Sequence, residues 1–324
     1  MFNAIRVKCG LRFKLLATFI ILLTITILAL VLADKCETYR PLSYLLASLS
    51  DLPDDQQPQP VGSLVGDKIV VIPALVTDDM SWVADDLPSW QRAIYIVNPL
   101  KDSSITSELS TTQLTTQLTT PLNKGKESMA YLTYIIEHYP TFPSTIAFIH
   151  SHRAGFLAAW HTDTPLHSNV HALQYLRLDT VKRKGYVNLR CNWNPGCTHR
   201  SRANAHVTSE TWTGVMGNTS TPLFNSRPGK PGALPADAPI IDEADHNKIT
   251  VWAPCCAQFA VSREAVLGRP LRDYVAMRDW LMNTELDDAR SGRVFEFLWH
   301  VVFGMESTFC PDAETCYCEV FGRC

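Results

Sequence analysis

The chain has 324 residues, 46% of them hydrophobic, which is enough for a sizeable core and too much for a disordered protein. Its 29 Lys and Arg against 32 Asp and Glu leave a formal charge of -3, which argues against a polyanion-binding surface and against nucleic acid as a partner. Ten cysteines are more than a reducing compartment usually tolerates, so disulfides and export are expected.

Residues 1–14 carry Arg6, Lys8, Arg12 and Lys14 and read as a cytosolic tail. Leu15 to Ala33, LLATFIILLTITILALVLA, is an uncharged run of nineteen residues, close to the length that crosses a bilayer core as a helix. The basic flank precedes the run, so the positive-inside rule predicts a type II single-pass protein with its body in the secretory lumen, Golgi or endoplasmic reticulum. The competing reading is a signal peptide cleaved near Val31 and Ala33, giving a secreted protein; the run is longer than a usual signal core. Residues 34–67, with DLPDDQQPQP at their centre, have little to bury and are expected to form a disordered stem.

One α/β domain is expected over residues 68–324. KIVVIPALV (68–76) is a near-continuous apolar run, as in a strand covered on both faces, and RAIYIV (92–97) is a second. Residues 103–122, which contain TTQLTTQLTT, read as an inserted loop. Met129, Leu132, Ile135 and Ile136 share one face of a helix over about 127–139, which leads into a strand at 144–149. Strands separated by helices or long connections predict a mostly parallel sheet. A helix over about 170–178 and a strand at 186–189 follow; Cys191 and Cys197 bracket a turn that a local disulfide would close. Residues 198–247 read as a second irregular insertion, with the glycosylation sequon Asn218-Thr219-Ser220. AQFAV (257–261) is a strand, 271–283 a helix, and 292–303 a nearly apolar helix. Cys255 and Cys256, being adjacent, are expected to pair elsewhere, and Cys310, Cys316, Cys318 and Cys324 to staple the tail to the domain.

Four groups carry potential chemistry. His150-x-His152-Arg153 ends a strand, so both imidazoles point one way and offer a metal or phosphate site. His161 and Asp163 are candidates to complete a metal set. Glu296 stands in an apolar helix with Arg293 and His300 on the expected same face, either as a structural ion pair or as a general base tuned by burial. Asp78 and Asp79, after the first strand, suit the base or ribose of a nucleotide. Asn123, Lys124, Gly125 and Lys126 suit phosphate at a helix N-terminus.

SWVADDLPSWQRAIYIV, NKGKESMAYLTYIIEHY, FIHSHR, GYVNLRC, CCAQFAVSRE, SGRVFEFLWHVVFG and the terminal cysteines, in that order, resemble an uncharacterised family common in fungi, domain of unknown function 3431. More distantly, Asn123 to His152 resembles the GT-A glycosyltransferase segment in which an Asn-x-Gly turn and helix lead to a strand ending in Asp-x-Asp. His150 and His152 stand at the matching positions. This resemblance implies a Rossmann-like GT-A fold, a nucleotide-sugar donor, a glycan acceptor, and a diphosphate site at His150, His152 and Arg153 with or without a divalent metal. It also implies a catalytic carboxylate at Glu296, beside Arg293. The alternatives are a non-catalytic binding module on the same fold and a metal-dependent hydrolase using His150, His152, His161 and Asp163.

Overall fold

The computed structural model describes residues 2–49, 67–98, 118–198, 206–217 and 251–324. It is an α/β protein with one six-stranded sheet behind a single long N-terminal helix, α1 (Phe2–Tyr39). The strands are β1 (Lys68–Ala74), β2 (Gln91–Ile96), β3 (Leu118–Thr119), β4 (Thr145–Phe148), β5 (Tyr186–Asn188) and β6 (Phe259–Ser262). Their order is β3-β2-β1-β4-β6-β5. The sheet is mixed rather than mostly parallel: β6 runs antiparallel to both β4 and β5, while the pairings among β3, β2, β1 and β4 are parallel. Strands separated by long connections allow either direction of return, and periodicity alone does not distinguish them.

β1 reads as continuously apolar because both its faces are covered. Ile69 and Val71 enter one core with Phe148 and Phe259, under α4 (Ser128–His138) and α9 (Leu271–Asn283). Val70 and Ile72 enter the other, with Trp82 and Val83 of α3 (Ser81–Asp86) and Val320 and Phe321 of α12 (Ala313–Phe321). The remaining helices are α2 (Pro41–Leu49), α5 (Asn169–Gln174), α6 (Leu178–Lys184), α7 (Ser209–Met216), α8 (Arg263–Leu267), α10 (Asp288–Glu296) and α11 (Trp299–Val302).

Several expectations change. The stem expected from Asp34 is helical where described: α1 continues to Tyr39, and α2 follows after Arg40; residues 50–66 lie outside the described residues. The first expected insertion contributes edge strand β3, because the ladder with β2 gives Leu118 and Thr119 backbone partners that local composition does not reveal. The second contributes α7, capped by Thr208; the sequon Asn218 lies outside the described residues. The helix over 170–178 is two, α5 and α6. The one expected over 292–303 breaks at Phe297 and Leu298 into α10 and α11, so His300 leaves the face of Glu296 and its Nε2 lies 3.1 Å from the Ser307 carbonyl.

All eight cysteines of the body pair, which indicates an oxidising environment. The partners differ from those expected. Cys191 joins Cys316 and Cys197 joins Cys310, so the turn between them is stapled to the tail rather than to itself. Cys255 and Cys256 join each other, in a turn where Cys256 and Ala257 adopt φ of 92° and 50°, a left-handed path that brings adjacent sulfurs together. Cys318 joins Cys324, and Cys36 is free and exposed.

The last turns of α1 are seated in the domain. Asn194 Nδ2, Asn192 Nδ2 and Arg190 Nη2 donate to the carbonyls of Asp34, Glu37 and Thr38 at 3.2, 3.0 and 3.2 Å. These are carbonyls at the C-terminal end of a helix, and the Arg190 cation also suits the negative end of the dipole. α1 is long and apolar enough over Leu16–Tyr39 to cross a membrane, a property that a signal sequence shares.

Candidate functional site

A cleft of about 360 Å³ opens at the carboxyl ends of β1, β2 and β4. Its walls include Leu75 after β1, Val97 after β2, and His150, Ser151 and His152 after β4; Asn123, Lys126, Glu127, His161, Asp78 and Asp288 complete its polar lining. The chain leaves β1 for β2 on one side and returns to β4 on the other, so the cleft lies at the point where strand order reverses, the usual ligand crevice of such sheets.

The turn before α4 is shaped by two glycines. Gly125, at φ 76°, presses against Leu281 so closely that a Cβ would lie 2.5 Å from its Cδ1. Gly292 of α10 admits Lys126, whose Cγ would lie 2.8 Å from an added Cβ. Lys126 is thereby set against Asp288: Nζ lies 2.7 Å from Oδ2, and its backbone N–H donates to Oδ1 at 2.9 Å.

The strand-end histidines are held by their backbone. His150 N–H donates to Gln258 Oε1 at 3.0 Å, and Asn169 Nδ2 donates to the His152 carbonyl at 2.7 Å. Gln258 and Asn169 meet at Thr162 Oγ1, which accepts from Gln258 Nε2 at 3.1 Å and donates to Asn169 Oδ1 at 2.7 Å. This buried network fixes where the imidazoles go. His150 Nε2 and His161 Nδ1 are sealed from solvent and have no hydrogen-bond partner. The two rings sit 4.6 Å apart edge to face, and His152 stacks beyond His161 at 6.5 Å.

Facing His150 Nε2, at 4.0 Å, is Glu127 Oε2. Burial, with a smaller contribution from Glu296, pushes the Glu127 carboxyl up to about 8. Burial, then the neighbouring His152, pulls His150 down to about 4, and burial with His150 and Arg190 pulls His161 lower still. At neutral pH the pair is therefore a mostly protonated acid beside a neutral imidazole. Both avoid charge because burial outweighs what compensation there is, the backbone N–H of Glu127 and Lys126 for the acid and the Cys256 backbone for the imidazole.

Of the expected site residues, the structure gathers Asp78, Asn123, Lys126, His150, His152 and His161 in this cleft. Asp78 Oδ2 also accepts from Leu75 N–H, while Asp79 instead accepts the Ser81 N–H at the start of α3. Lys124 Nζ donates to the carbonyls of Met282 and Thr284, closing the end of α9. Gly125 lies under the turn, and Arg153 pairs with Asp86 at 2.7 Å. Glu296 and Arg293 are outside the lining: Glu296 Oε2 is 3.3 Å from Arg293 Nε, and its Oε1 accepts the Cys256 N–H at 2.9 Å. The backbone of Cys256 also hydrogen-bonds His150, so the turn of the paired cysteines bridges the cleft and Glu296. Sequence reasoning missed Glu127, Ser151 and Asp288. Glu127 follows the turn by two residues, the place where a first-turn carboxylate is ordinarily a helix cap.

The four expected hydrolase ligands do not converge. Asp163 Oδ2 accepts the N–H groups of Cys191 and Asn192 and the Tyr317 hydroxyl, at 3.0, 2.7 and 2.7 Å. Among the described residues, the donors close enough to share a metal ion are Cys255, Cys256 and Glu296, whose sulfurs are bonded to each other. No three donors of the cleft, among the described residues, lie close enough together to share an ion.

Fold and cleft together define an α/β domain with a strand-end crevice, joined to a helix able to span a membrane. The family model described as "Protein of unknown function (DUF3431)" matches residues 70–319, and the chain belongs to that family. No curated protein and no solved structure matches it.

Proposed function

We propose that this is a GT-A-like glycosyltransferase, held in the secretory lumen by α1 in type II orientation, that binds a nucleotide-sugar donor in the histidine cleft. The observation that carries this reading is the cleft's place at the strand-order reversal, before the N-terminus of α4, with Lys126, His150 and His152 around it. The diphosphate would lie over that helix terminus, and the nucleoside toward Asp78 and Asn123. An arriving anion supplies the charge that His150 lacks, raises its affinity for a proton and turns it into a cationic donor for the leaving group. Of the two glutamates it is Glu127, not Glu296, that lines the cleft. With its pKa raised to about 8, only the ionised minority of Glu127 can take the proton of an acceptor hydroxyl at neutral pH, so turnover should rise with pH toward 8.

Titration calorimetry of the full chain against nucleotide sugars, with and without manganese, tests the reading. Binding with net proton uptake, seen as a buffer-dependent enthalpy, is expected; His150→Ala and His152→Ala should each weaken it by about 10–100-fold. Absence of binding across the panel would overturn the proposal. One observation favours a second reading: Glu296 is pinned by Arg293 and the Cys256 peptide, as in a fold that binds ligand without catalysis. Donor binding without turnover over a broad acceptor set would select that binding module.

A further inference from the structure

The C-terminal end of α1 meets an aromatic cluster. The Tyr39 ring lies 5.1 Å from Trp160 and 6.1 Å from Phe156, and Tyr44 of α2 packs on Phe156 at 5.2 Å and on His167 at 5.1 Å. Beyond it α2 turns off the α1 axis at Arg40, φ 46°, and shows a face of leucines at i, i+3 and i+4: Leu42, Leu45 and Leu46 are 67%, 51% and 60% exposed. Leu157, one residue after Phe156, is 79% exposed. Exposed leucines at the foot of a bilayer-length helix, backed by Tyr and Trp, are the composition of a membrane interface.

We propose that the bilayer covers this apron of Leu42, Leu45, Leu46 and Leu157, seating the domain directly on the membrane, with the histidine cleft opening at headgroup depth. The second half follows from a short chain of rings. Trp160, against Tyr39, also lies 4.8 Å from His161, which lines the cleft. Continuity with α1 decides the occupant: α2 begins at Pro41, two residues after the end of the apolar span Leu16–Tyr39. The polar grip of Asn194, Asn192 and Arg190 on the end of α1 keeps this seat from swivelling. The inference depends on α1 spanning a membrane and not on the cleft's chemistry.

The test uses the full chain with Cys9→Ser and Cys36→Ser, an environment-sensitive fluorophore placed at Leu45→Cys, Leu157→Cys or Leu75→Cys, and reconstitution into phosphatidylcholine vesicles. Arg272→Cys, at the end of α9 away from the cleft, is the control. Acyl chains brominated near the headgroup should reduce emission at 45 and 157 by about twofold or more and leave 272 unchanged. A headgroup nitroxide should quench 75, on the cleft rim, more than 272. Emission at 45 and 157 no different from 272 overturns the seating. Blue-shifted emission that depends on protein concentration and not on lipid assigns the apron to a second copy and also overturns it. Quenching at 45 and 157 without quenching at 75 overturns the headgroup placement of the cleft. None of these readouts requires a nucleotide sugar, so failure of the donor titration and failure of this proposal are separate results.

Discussion

Two groups of buried ionisable side chains lie within a few residues of each other, and they are treated in opposite ways. Around Asp163, charge is compensated. Burial alone would raise its pKa, but Arg190, Arg40, the Tyr317 hydroxyl and two backbone N–H groups outweigh that and hold it below the ordinary carboxylate value. Arg190, fully buried, donates to the carbonyls of Trp160, His161, Thr38 and Asn194. Around His150, charge is avoided instead. Glu127 holds a proton, His150 and His161 lose theirs, and His150 Nε2 and His161 Nδ1 have no hydrogen bond. Unpaired buried nitrogens occur in both groups, Arg190 Nε in the first and His150 Nε2 in the second. What sets the second apart is that its uncharged acid and imidazole line a cleft, whereas the first is bonded to surrounding backbone, so the second points to a ligand and the first to architecture.

The largest effect should come from breaking the compensated group. Asp163→Ala would strand the buried Arg190 without the carboxylate that neutralises it and remove the acceptor of two backbone donors, at a cost of about 3–5 kcal/mol. Denaturant unfolding in detergent measures it. A loss below about 1 kcal/mol would mean that Asp163 is not structural, and the contrast would fail.

A smaller effect, with a distinctive pH signature, belongs to Glu127. Its folded pKa of about 8 lies above its ordinary 4.5, so its contribution is complete below about pH 4.5 and is lost as pH rises through 8. His150 has the opposite sign. With a folded value of about 4 against an ordinary 6.5, its contribution is complete above 6.5 and is lost as pH falls through 4. The two slopes cancel between about pH 4.5 and 6.5, where the wild type should melt highest, and it should lose at most about 1.4 kcal/mol per pH unit from there up to pH 8. Glu127→Gln should abolish the alkaline limb and keep the acid one. If both limbs survive in that variant, the alkaline loss originates elsewhere and Glu127 is not the raised acid.

Much of this framework was legible in the sequence because it rests on short-range regularities. β1, β2 and β4 announce themselves as apolar runs, α4 and α9 as one-sided helices, and the strand-end histidines as the abrupt polar stop after Phe148 and Ile149. What escaped depends on distant partners. β3 is a strand only because β2 offers it a ladder, and β6 is antiparallel for reasons of topology that its four residues do not encode. Cys191 and Cys316 meet across a separation of 125 residues. Glu127 sits where a first-turn carboxylate is ordinarily a helix cap, and only the end of β4 brought against it marks it as part of the cleft; for Glu296 the sequence left ion pair and base both open, and it is paired with Arg293 and the Cys256 peptide.

Asp288 stands between the two kinds of group and gives the smallest and most discriminating test. It lines the cleft, yet its carboxylate is paired with Lys126, an ion pair with both side chains substantially exposed and so worth about 0–1 kcal/mol. Burial would raise its pKa, but the bonds from Lys126 outweigh that and keep it ionised, so in the free protein Lys126 is already answered. A diphosphate arriving at the N-terminus of α4 must compete with Asp288 for that ammonium. Asp288→Asn keeps an oxygen to accept the Lys126 N–H while removing the competing charge. Its unfolding free energy should shift by less than about 1 kcal/mol, and its affinity for a nucleoside diphosphate should rise by up to about fivefold. A fall in affinity at unchanged stability would show that Asp288 itself holds the ligand, and would move the phosphate away from Lys126 toward the histidines alone.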